Sequence, residues 1–130
     1  MHHGSCLCGA VRIEVAGEFE HAPEACHCTA CRKHTGHHYV GVNVRRDALS
    51  ITGADNVTWY RSSEKVRRGF CALCGSTLFW DPRIEGYAHI SIAMGVFALP
   101  TRLQLSKHIF VEEKGDYYTL DDGLPQAQGF

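Results

Sequence analysis

Seven cysteines fall in three tight groups, Cys6-x-Cys8, Cys26-x-Cys28-x2-Cys31 and Cys71-x2-Cys74, and this spacing constrains the fold more than any other feature of the chain. The N-terminal MHHGSCLCG has no apolar export segment, so a cytoplasmic location is expected, where a reducing environment keeps thiols free of disulfides. Close thiol pairs suit a thiophilic metal instead, because two sulfurs reach one ion without a long loop being ordered. At least one bound metal is expected as a staple, since a thiolate cage contributes directly to folding free energy.

Two divisions of the thiols are open. Cys28 and Cys31 can join Cys71 and Cys74 as a pair of CxxC knuckles, which strands Cys6, Cys8 and Cys26 in distant segments. Alternatively, Cys6, Cys8, Cys71 and Cys74 form one closed four-thiolate site and leave Cys26, Cys28 and Cys31 as a local chelate. The second division is preferred because its leftover thiols form a local chelate, and it also accounts for the odd count. Four sulfurs saturate a tetrahedral zinc and exclude water, whereas three leave a corner for water or substrate. The competing expectation is that His27, His34, His37 or His38 closes the trio and makes it structural as well.

Charge indicates what an open trio does well. A dication with three thiolates carries a formal charge of about -1 and acidifies water less than one held by neutral imidazoles, which disfavours a metal-hydroxide hydrolase. A substrate thiol, held as thiolate beside a small carbonyl carbon, is the better fourth ligand.

The remaining sequence bounds the setting. The 130 residues are expected to form one domain, 1–130, and a net charge of -1 gives no basic field for nucleic acid. The most apolar run, YAHISIAMGVFAL, is too short for a membrane span. Apolar residues alternate with period two in VRIEV (Val11, Ile13, Val15), YVGVNV (Val40, Val42, Val44) and HISIAM (Ile90, Ile92, Met94), so a mainly β fold is expected. LSIT, VTWY, VRRGF, STLFW, HIFV and YYTL are further strand candidates. Only CTACRKHTG reads as a helical turn or two, from Thr29 to a stop at Gly36. Trp59, Tyr60, Phe79 and Trp80 are candidates to wall a pocket, with a core role preferred for aromatics in strands, and His2 and His3 receive no role.

HHGSCLCGAVRIEV, CHCTACRKHTG, RRGFCALCGSTLF and HIFVEEKGDYYTLDDGLP together resemble the glutathione-dependent formaldehyde-activating (GFA) family, the family that includes centromere protein V. The resemblance covers nearly the whole chain, with Tyr117 standing where the family commonly has tryptophan. It implies a single zinc-binding domain of several coiled antiparallel β-sheets. It also implies two zinc ions per chain when fully loaded: a structural one on Cys6, Cys8, Cys71 and Cys74, and a more labile active-site one on Cys26, Cys28 and Cys31.

The implied activity is that of a carbon-sulfur lyase similar to S-(hydroxymethyl)glutathione synthase. It joins glutathione or a related thiol to formaldehyde or another small aldehyde. Glutathione's two carboxylates call for cations, and Arg32, Lys33, Arg67 and Arg68 are the candidates. His27 or His34 is the expected proton donor. The rival functions are a non-catalytic thiol-binding zinc protein and a structural zinc domain that presents a surface to a protein partner.

Overall fold

The computed structural model describes residues 1–130. In chain order the strands are β1 (His2–Ser5), β2 (Arg12–Val15), β3 (Glu24–Cys26), β4 (Tyr39–Arg45), β5 (Leu49–Thr52), β6 (Val57–Arg61), β7 (Val66–Cys71), β8 (Thr77–Pro82), β9 (His89–Ala93) and β10 (Lys107–Ile109). The one α-helix, α1 (Thr29–Thr35), follows β3, and four single 3-10 turns join other elements. Two sheets result, a three-stranded one in the order β1-β2-β5 and a seven-stranded one in the order β10-β3-β4-β9-β8-β7-β6. The fold is mainly β and antiparallel, with β10 and β3 the one parallel strand pair. No helix is long and apolar enough to cross a membrane.

Strand parity explains how the sheets pack. Val11, Ile13 and Val15 from around β2 meet Val42, Val44, Phe79, Ile90 and Ile92 of the large sheet in one buried cluster. Each such fully buried side chain is worth roughly 1.5–3 kcal/mol over its exposed state. The residues between them, Tyr39, Gly41, Asn43, Ser91 and Ala93, turn to the opposite face of the large sheet. There Tyr39 and Ala93 pack with Cys31 in a second small cluster. Gly41 is required on that face, because a Cβ would lie 2.3 Å from Ser91 Oγ and 2.4 Å from the Tyr39 ring.

Departures from the periodicity have local causes. HIFV is strand only through Ile109, since Phe110 turns into the left-handed region at φ 54° and a 3-10 turn follows. YYTL, expected as a strand, is a turn followed by irregular chain. Tyr117 and Tyr118 both face the same histidine group, with ring centroids 4.9 Å apart, a same-side arrangement that strand alternation forbids. The N-terminal histidines, given no role, form β1. His2 packs on Phe19 at 4.2 Å and His3 approaches Glu14 at 3.4 Å.

Candidate functional site

The first cysteine group is assembled from two turns. Cys6 and Cys8 lie in the connection from β1 to β2, and Cys71 and Cys74 at the end of β7 and in the turn that follows. Leu7 N–H donates to Ser76 Oγ at 2.9 Å and ties one turn to the other. The sulfurs of Cys6 and Cys8 are 3.6 Å apart and those of Cys8 and Cys71 3.8 Å. A tetrahedral zinc with Zn–S bonds of ~2.3 Å sets sulfurs about 3.8 Å apart, so the donor set fits that ion. The Val11 N–H donates to Cys6 Sγ at 3.3 Å, and the Ser76 hydroxyl and backbone pull the Cys74 thiol down to about 5, both of which favour thiolate.

The second group forms where β3 gives way to α1. Parity turns Cys26 and Cys28 to one side, and the helical i, i+3 spacing sets Cys31 over Cys28. Cys28 is the N-cap, its sulfur accepting the Cys31 N–H at 3.3 Å, and Gly36 ends the helix at φ 89°. The three sulfurs lie within 4.8 Å of one another, and no histidine nitrogen joins them within that range. The histidine expected as a competing closing ligand is therefore not at the cluster. Hydrogen bonds from Cys26 and Cys31 hold the Cys28 thiol far down, while Cys28 and Cys31 push Cys26 up. The bare trio shares protons, and full ionisation needs a cation, which suits a thiophilic metal. Arg68, a buried cation at 5% exposure, donates to Cys31 Sγ at 3.5 Å and to Ser62 Oγ at 3.1 Å.

Above the trio is a cavity of about 290 Å³ bordered by all three cysteines. Part of its wall is a row of cross-strand neighbours: Asn43 opposite Ser91, Ser91 opposite Trp80, and Trp80 opposite Arg68. Tyr39 Oη and Ser91 Oγ are hydrogen-bonded at 3.0 Å, and burial pushes the Tyr39 phenol pKa up. The apolar side consists of Trp80, Ile109, Phe110 and Phe130.

Of the four candidate cations only Arg68 lines this cavity. Arg67 instead donates to Asp81 at 2.7 Å and stacks over Trp59 at 3.8 Å. Arg32 and Lys33 sit on α1 outside the cavity wall. Trp80, read as core, is a wall residue, while Phe79 beside it is core. The sequence signal for Trp80 was its parity relative to Phe79. Glu20, His21 and His89 form a further surface grouping of donors, with His21 at the cavity edge.

His27 directly follows β3, and its ring lies on the side away from the cavity. Tyr118 Oη hydrogen-bonds its Nδ1, its Nε2 is 2.8 Å from His108 Nδ1, and His108 Nε2 is 2.8 Å from Asp122 Oδ2. With Asp122 ionised one proton arrangement satisfies every partner: His108 Nε2–H donates to Asp122, His27 Nε2–H to His108, and the Tyr118 hydroxyl to His27. Both His27 nitrogens are thus engaged away from the cavity, and burial with neighbouring His38 lowers its pKa to about 4. His34, the other expected donor, lies edge-on to Phe70 and does not border the cavity.

Comparison with known proteins agrees with this architecture. Residues 1–113 match the family model described as glutathione-dependent formaldehyde-activating enzyme. A Halomonas elongata protein described by the same activity is 30% identical over 126 residues, covering 91% of this chain and 80% of its own. An uncharacterized lyase of Schizosaccharomyces pombe is 32% identical over 117 residues, covering 90% and 83%. A crystal structure of a Rhodobacter sphaeroides protein shares the fold at TM-score 0.60 and 21% identity, covering 96% of this chain and 98% of its own.

Proposed function

Because the chain belongs to the glutathione-dependent formaldehyde-activating family, we propose that it is a zinc-dependent carbon-sulfur lyase that forms or cleaves the S-hydroxymethyl adduct of a thiol. The family's description names glutathione as the thiol, with a related thiol as the alternative, and the carbonyl partner is formaldehyde or another small aldehyde. One observation carries this reading: three thiols converge on a cavity with no fourth protein ligand beside them. Cys6, Cys8, Cys71 and Cys74 hold a structural zinc in the same reading.

Zinc on Cys26, Cys28 and Cys31 would keep a substrate sulfur deprotonated at neutral pH and fixed in position. During addition the sulfur electron pair forms the C–S bond, the carbonyl π pair moves to oxygen, and that oxygen takes up the proton the thiol released. Cleavage runs in reverse. Tyr39 and Ser91 are hydroxyl donors on the wall, and the raised phenol pKa keeps Tyr39 protonated as a hydrogen-bond donor to the developing oxyanion. Arg68 offsets thiolate charge at Cys31. His27, given as proton donor on sequence grounds, serves here as a positioning residue, its ring anchoring the strand between Cys26 and Cys28.

The test is exchange NMR between free formaldehyde and its glutathione adduct, with zinc-loaded protein and with Cys28→Ser at equal concentration. Acceleration above the spontaneous rate that the variant lacks supports the lyase. A thiol-dependent change at the metal without acceleration leaves a thiol carrier, and neither effect leaves a structural zinc domain.

A further inference from the structure

The charge and shape of the cavity limit which thiol it accommodates. Glutathione brings two carboxylates, each best held by a guanidinium or ammonium. The wall offers one cation, Arg68, whose Nη1 is committed to Cys31 Sγ and Nε to Ser62 Oγ. It also carries a carboxylate, Glu24, which pairs with Lys107 Nζ at 3.6 Å, so that pair adds no net positive charge to the wall. Three thiolates with a dication sum to about -1, and Arg68 brings that to about zero, so the wall has no positive surplus.

The remaining surface is apolar and aromatic. Phe110 meets Phe130 edge-on at 5.1 Å, and Trp80 lies 6.2 Å from the same ring, making a three-ring cleft beside the sulfurs. Phe130 is 80% exposed, so this cleft is incompletely covered by the chain itself. The volume, about 290 Å³, is at the low end of the ~300–1,000 Å³ of small-molecule pockets. Tyr39 and Ser91 share one hydrogen bond, which leaves one of their two O–H groups free, and with the side chains of Asn43 and Ser63 on the same wall they can take one small polar group such as a hydroxymethyl oxygen.

We propose that the preferred thiol of this site is a small apolar one bearing an aromatic or branched group, uncharged apart from its sulfur, and that the Trp80, Phe110 and Phe130 cleft selects it over glutathione. The proposal rests on the reading that a substrate sulfur joins the Cys26, Cys28 and Cys31 site.

Protein loaded with cobalt(II), whose visible absorption reports the ligands of a thiolate-bound ion, is titrated with benzyl mercaptan, 2-mercaptoethanol and glutathione. The expected result is half-saturation by benzyl mercaptan at a concentration at least about tenfold below that for glutathione, a difference worth roughly 1.4 kcal/mol. Trp80→Ala removes most of that advantage and leaves 2-mercaptoethanol within about twofold. Phe130→Ala, at an exposed position that folding does not need, reduces the advantage in the same direction. Equal or tighter binding of glutathione overturns the proposal, as does a benzyl mercaptan preference that both variants retain. No spectral change with any of the three thiols overturns the underlying reading of the open site, a result distinct from a change of preference.

Discussion

Four sulfurs where the β1–β2 and β7–β8 turns meet and three sulfurs at the β3–α1 junction make an internal comparison of equal donor chemistry in unequal settings. The four come from segments more than sixty residues apart, with Cys6 and Cys71 buried in the main core, so closing that site fastens the two sheets together. The three come from one six-residue segment and sit beneath a cavity on the far face of the large sheet. A metal on the long-range donors would contribute to fold stability, while the short-range donors, already brought together by a helix cap, would order little further chain on binding one.

The sharpest way to break this contrast is serine replacement in each group. Cys71→Ser is expected to abolish cooperative unfolding by circular dichroism, because the residue is fully buried and structural zinc sites contribute ~10 kcal/mol or more. Cys28→Ser is expected to stay folded, bind one metal equivalent fewer by elemental analysis and lose its response to thiols. If both variants unfold, the division into structural and chemical sites fails.

Next in size is Asp81, fully buried near the end of β8. It receives Arg67 at 2.7 Å and Arg83 at 3.5 Å, and Arg46 at 2.6 Å in an ion pair poorly aligned for a hydrogen bond. Asp81→Asn is expected to cost about 3 kcal/mol in urea unfolding, the low end for a broken buried pair because Arg46 and Arg67 are each one-third exposed. Burial alone would raise this carboxyl, but Arg67 and Arg46 hold it below the usual carboxylate range. A depressed native pKa contributes stability that is complete above the unfolded value of ~3.9 and lost as pH falls through the native one. The wild-type minus Asp81→Asn difference is thus expected to be flat from pH 7 to 5 and to shrink below pH 4.

A smaller effect tests the tyrosine-histidine chain. His108→Phe leaves His27 Nε2 without its partner in a buried place, and about 2 kcal/mol of destabilisation is expected, with the metal content of both clusters unchanged. The smallest effect sharpens the choice of cations. Lys33→Ala, on the exposed side of α1 and outside the cavity wall, is expected to change stability by less than ~0.5 kcal/mol and to leave thiol binding unaltered.

Much of this was legible in the residues because cysteine spacing and period-two alternation are local properties. The C-x-C-x2-C run contains both a strand end and the first helical turn, and Val11, Ile13 and Val15 announce their buried face directly. The cavity was not legible, because it is made by register. Asn43, Ser91, Trp80 and Arg68 belong to four strands and become neighbours only through pairings that no single segment encodes. The same holds for His27, whose partners lie 81 and 91 positions downstream. Adjacency to Cys26 and Cys28 suggests a catalytic histidine, but adjacent residues of extended chain face opposite sides, and here the chain is still extended just past the end of β3. YYTL was misread because two aromatics in a row look like a strand, whereas here both rings are recruited to one histidine group.

That opposition of faces makes the single residue between Cys26 and Cys28 a matter of arithmetic. Deleting His27 would set the two flanking thiols on opposite sides of the chain, turning one of them away from the cavity toward the place the histidine ring had held. The spacer can therefore change in steps of two but not of one, and any redesign of the loop that precedes α1 has to preserve oddness before it considers composition.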